Sequence, residues 1–150
     1  MRANTITIIF SAYHVGIRDH RVGNGPHRIL PLGVVQELQQ LGVQVDVAEI
    51  EPVDNFEGEI GRSFEFMRHL DVLDSSYGKV NDYPSAGGMF GSDLITNLAL
   101  LPKKATPRSL TVCSFDPDAG DGDKIASIAV RAISAFTRSL LEMGLLGSNA

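Results

Sequence analysis

A three-layer α/β fold, a small parallel sheet flanked by helices, is predicted by three features of the sequence. The run Thr5–Phe10, TITIIF, is β-branched and apolar, as in a strand buried on both faces of a parallel sheet. A second run, in which Val43, Val45 and Val47 alternate with Gln44, Asp46 and Ala48, has the period of two that marks another strand. A helical pattern lies between them, and so short a β, α, β connection implies a parallel pair with a right-handed crossover. A chain of 150 residues fits one domain with one core.

The remaining elements follow in order. After the first strand comes a long loop of glycines and polar residues, up to Pro26, which is pre-set for a first helical position. Pro31 interrupts, so the pattern predicts a short turn over residues 26–30 and then a helix over residues 32–41. Val34, Val35, Leu38 and Leu41 form its apolar face, and Gly42 caps it. The acidic loop EIEPVDNFEGE leads into a helix over residues 59–68, where Ile60, Phe64 and Met67 fall at i, i+4 and i+7. Residues 71–90 have no usable period and are rich in Gly, Ser, Asp, Asn and Pro. An irregular segment of that length inside a compact domain is either functional or a sign that something is missing.

Ser92 is placed to cap a helix that carries Leu94, Leu98 and Leu101 on one face until Pro102 stops it. Residues 110–115, LTVCSF, read as a third strand. A last helix begins near Asp123, carries Ile125, Ile128, Ala129, Ala132, Phe136 and Leu140 on one stripe, and ends at Gly144 before a short polar tail. No internal repeat, low-complexity block or linker is present.

Composition narrows the function. Hydrophobic residues make up 43% of the chain and charged residues 21%, an ordinary globular balance. A formal charge of -5, with no cluster of Lys and Arg, argues against nucleic acid as a partner, because phosphate binding rests on such clusters. The apolar runs fall far short of the ~20 residues that cross a bilayer, so no membrane association is expected. The segment Ile8, Ile9 and Phe10 is too short for the core of a secretion signal, so the expected compartment is the cytoplasm. The single cysteine, Cys113, rules out an internal disulfide; within its apolar strand pattern a buried, inert thiol is preferred to a reactive one.

Several short strings carry a family resemblance. Val22-Gly23-Asn24-Gly25-Pro26, preceded by Tyr13-His14-Val15-Gly16, is similar to the glycine-proline turn near the start of ureohydrolases, in a fungal-type version. Glu59-Ile60-Gly61-Arg62-Ser63-Phe64-Glu65 resembles the helix after that family's second strand. Asp71-Val72-Leu73-Asp74, then Ala86-Gly87-Gly88-Met89, then Ser109-Leu110-Thr111-Val112-Cys113-Ser114-Phe115-Asp116-Pro117 resemble its later metal loop, its Gly-Gly loop and its last strand. Each string alone is weak, and the assignment rests on all five occurring in the family's order. On these strings the chain resembles a shortened arginase-like member of the ureohydrolase family, which includes arginases, agmatinases and formiminoglutamases.

That resemblance implies an activity and a cofactor. In the family, two manganese ions activate water to hydrolyse a guanidino or formimino carbon–nitrogen bond, by lowering the water's pKa and stabilising the tetrahedral intermediate. It implies substrate-binding roles for His14 and Asn24. Its metal ligands come from a His after the third strand, an Asp-x-His-x-Asp run and an Asp-x-Asp pair. This sequence has no Asp-x-His-x-Asp run, and it passes from the third helix almost directly into the late metal loop, as though the middle of the fold were deleted. His69 stands where the first Asp of the pair belongs, Asp71 matches the second, and Asp74 matches a later Asp that does not normally ligate. These three could hold one cation, since an imidazole and two carboxylates can bind manganese or zinc. The plainer reading, which we prefer, is that His69 ends a helix near its negative pole while Asp71 and Asp74 organise a turn. Where arginases place a guanidinium-binding Glu, this chain has Ser114, so the charged bidentate contact is absent.

Two other clusters carry charge or metal-ligand chemistry. Residues 116–123, DPDAGDGD, have an Asp and Gly content like that of a calcium loop, but the EF-hand spacing and its closing Glu are lacking, and helix capping by Asp121 or Asp123 is the simpler expectation. His14, His20 and His27 share a region with Arg18, Arg21 and Arg28, which makes an anion site at the helix opening conceivable and a solvated loop simpler. No nucleophile elbow, P-loop or dinucleotide fingerprint occurs.

The deletion predicts a strand order. In the family the first strand sits between the second and the third; with the third gone, residues 110–115 are expected to move inward and pair with Thr5–Phe10, giving the order 2-1-3 in a sheet of about three strands. Surfaces that the lost segments once covered would favour association with copies of the chain or with related chains, as homo- or hetero-oligomers. Three readings follow: an inactive ureohydrolase remnant, a residual metal-dependent hydrolase with a site rebuilt at an oligomer interface, or a small-molecule-binding or interaction module.

Overall fold

The computed structural model describes residues 5–10, 13–14, 17–18, 24–49, 73–78, 88–112, 116–118 and 120–147. The expected helix over residues 59–68 lies outside them, as do His69, Asp71, His20, Arg21 and Cys113. Among the described residues the architecture is mixed helix and strand, with a two-stranded parallel sheet and four α-helices.

Strand β1, Thr5–Phe10, pairs in parallel with β4, Gln44–Glu49, in a register running from Thr5 opposite Gln44 to Phe10 opposite Glu49. Between them come β2, Tyr13–His14, and β3, Ile17–Arg18, which form a small antiparallel hairpin. They are followed by α1, Gly25–Ile29, a 3₁₀ turn, Leu30–Leu32, and α2, Val34–Gln40. The parallel pair and its helical crossover match the expectation. The second strand begins one residue later than the valine pattern suggested, because Val43 is taken up in closing α2.

The glycines explain where helices stop. Gly33, with φ +91°, separates the 3₁₀ turn from α2, so the helix expected from residue 32 starts two residues later. At the far end Gly42, φ +80°, closes α2 as foreseen: its N–H bonds to Gln39 O at 2.9 Å and the N–H of Val43 bonds to Leu38 O at 3.4 Å, the paired bonds of a Schellman motif. The same motif ends α4, Gly122–Glu142, where Gly144 has φ +64°, its N–H bonds to Leu141 O, and the N–H of Leu145 bonds to Leu140 O, both at 2.9 Å. In each case the left-handed residue is the glycine that ended the helix in the sequence reading.

One face of the sheet carries the core. Ile6, Ile8 and Val45 pack against a buried cluster of Ile29, Val34, Leu38, Ile125, Ala126, Ile128 and Val130. Each fully buried aliphatic side chain there contributes about 1.5–3 kcal/mol relative to exposure. The opposite face differs from expectation: Thr7 is exposed and Ile9 is 63% exposed, so β1 is not buried on both faces. Alternation in a strand sends Thr5, Thr7 and Ile9 away from the helices, and no described helix lies over them.

The helix α3, Gly91–Lys104, departs from expectation at both ends. Phe90 occupies the cap position, and Ser92 lies inside, its carbonyl accepting from the Thr96 hydroxyl at 2.8 Å. Pro102 does not stop the helix, which runs two residues further, and the proline is itself buried. The proline withholds the N–H that would donate to the Leu98 carbonyl, yet the last turn still closes, the Ala105 N–H donating to Leu101 O at 3.0 Å. Leu101, expected on the buried face, is 41% exposed. Gly91 lies against Ile128 of α4, while Pro102 and Lys103 share a surface depression with Met143 and Leu145, so α3 and α4 run parallel.

Among the described residues, helix α4 packs against α1, α2 and α3. Besides the expected Ile125, Ile128, Ala132 and Phe136, it buries Ala126, Val130, Ser134, Thr137 and Ser139. Burial so far around its circumference follows from packing against α1 and α2 on one side and α3 on the other. Of the segment expected as a third strand, residues 110–112 adopt no strand pairing and are exposed, and the rest lies outside the described residues.

Candidate functional site

The candidate residues fall in two neighbourhoods. The first is the carboxyl edge of the sheet, where open α/β sheets commonly take ligands. Both parallel strands end there, at Phe10 and Glu49. His14 lies in β2, its backbone paired with Ile17. Asn24 is exposed at the cap position of α1, yet its side chain makes no capping bond. His27, two residues into α1, places Nε2 3.5 Å from Glu49 Oε1. Arg28 turns toward α4, with Nε 2.7 Å from Asp123 Oδ1. Of the six residues considered for an anion site at this opening, His27 and Arg28 therefore face carboxylates instead, and α1 is too short to offer a strong helix pole.

The second neighbourhood joins two of the sequence strings. Leu73 and Met89 form a parallel bridge, and the N–H of Asp74 bonds to Met89 O at 3.0 Å. A glycine is needed at position 88, because a Cβ there would run into the Leu73 backbone. Asp74 is half-buried and heads a 3₁₀ turn, Ser75–Tyr77, its Oδ1 accepting from the Ser76 N–H at 2.9 Å. This is the turn-organising geometry considered for it. At the close of the turn Gly78, φ +139°, abuts the Asp121 side chain. The Tyr77 ring stands edge-on to Phe90 at 6.4 Å, with Lys124 Nζ 5.4 Å from its centroid.

The acidic stretch before α4 divides its carboxylates among separate tasks. Asp116 is buried, and its Oδ1 accepts from the Asp118 N–H at 3.0 Å. Asp121 takes the cap position without a side-chain capping bond, contrary to expectation, and Asp123 in the first turn faces Arg28. Gly122 lies so close to the Pro117 carbonyl that no side chain fits. Among the described residues no group of three or more His, Cys, Asp or Glu side chains is placed to hold a metal ion.

Sequence reasoning missed the partners Glu49 and Asp123. Neither had a local signal, since each meets its partner on α1 only through the tertiary fold. Among the described residues no helix is long and apolar enough to cross a membrane. The fold and site together define a class only: a small mixed helix-and-strand domain with a parallel strand pair. Comparison with protein-family models, with curated proteins and with solved structures found no match.

Proposed function

We propose that this chain is a shortened ureohydrolase-type protein, arginase-like in descent, that does not hydrolyse guanidino or formimino substrates on its own and associates with copies of itself or related chains. The observation supporting it best is the contact of Leu73 and Asp74 with Gly88 and Met89, which joins the two strings that resemble the family's late metal loop and Gly-Gly loop. The parallel β1–β4 pair with its helical crossover is compatible with the same α/β class.

The donor set does not fit a pair of manganese ions. Two such ions need many hard oxygen ligands and some imidazoles. The sequence contains no Asp-x-His-x-Asp run, and Asp74 already spends one oxygen on the Ser76 N–H. Association is favoured by the apolar surface left open at Ile9, Phe90, Leu100 and Leu101.

Purified protein supplied with manganese is expected to release no urea from arginine or agmatine, and elemental analysis to find no stoichiometric metal. Manganese-dependent turnover abolished by Asp71→Ala would overturn this in favour of a hydrolase with a rebuilt site. Light scattering at tens of micromolar is expected to give a dimer or larger species. A monomeric mass with cooperative thermal unfolding would mean the remnant covers its own surface.

A further inference from the structure

We draw no further inference here: the strongest candidate, the exposed patch of Met89 and Phe90 beside the Tyr77 ring and Lys124 near the N-terminal ends of α3 and α4, carries nothing because no feature among the described residues shows what covers it.

Discussion

The two sides of α4 are built differently. Toward α1, α2 and the sheet, Val34 and Leu38 are almost wholly buried, and the Ser134 hydroxyl donates to the Glu37 carboxylate across the helix pair. Toward α3 and the 75–77 turn, Leu94 and Tyr77 are only half-buried, and Met89, Phe90, Leu100 and Leu101 are exposed. The leucine-rich α3 does not lack apolar residues, so the difference lies in what stands behind the helices. The sheet backs the first side, whereas no described element covers the outer face of α3. Stability should therefore be concentrated on the first side, while the second offers its apolar groups to solvent or to another chain.

The largest expected effect tests that asymmetry directly. Leu38→Ala removes a side chain with no exposed surface and leaves a cavity, which should lower stability by about 2–5 kcal/mol. Leu101→Ala, on a side chain 41% exposed, should cost under about 1 kcal/mol. Urea titrations of both variants, compared through their midpoints at unchanged slope, would decide the matter. Equal losses would show that the α3 side is as tightly held as the other.

A smaller effect is expected at the start of α4. Gly122→Ala forces a Cβ onto the Pro117 carbonyl, so the buried loop around Asp116 must shift, at about 1–3 kcal/mol by analogy with overpacked cores. Since the N-terminal turns of α4 serve both sides, the loss should appear as one cooperative transition. An unchanged thermal midpoint would show that this loop yields freely and does not fix the helix start.

Much of this framework could be read from local patterns, and the failures share a cause. TITIIF announced a strand, and Gly42 and Gly144 announced helix ends, because β-branching and left-handed glycine act within a few residues. Gly33 gives no local sign of its left-handed conformation, because apolar residues continue on both sides of it. Pro102 misplaces the helix end because a proline's distance from that end is not visible in the sequence. The burial of Ser134, Thr137 and Ser139 had no stripe to announce it, since polar residues become core only when helices pack on both sides. At the site, Asp74 was legible as a turn organiser from its neighbours. The pairing of His27 with Glu49 and of Arg28 with Asp123 required the tertiary fold.

The smallest expected effect concerns whether the Arg28–Asp123 ion pair holds α1 in place or merely decorates it. The Arg28 and Asp123 side chains are 46% and 70% exposed, so solvent screens their attraction despite the 2.7 Å contact. A double-mutant cycle with Arg28→Ala and Asp123→Ala should give a coupling of about 0.2–1 kcal/mol, weakening as salt is raised. Such a result would leave the burial of Ile29 in the core as the larger contribution to the docking of α1. A salt-insensitive coupling well above that range would mean that the contact is desolvated in solution. The first side of α4 would then owe its order to charge as much as to packing.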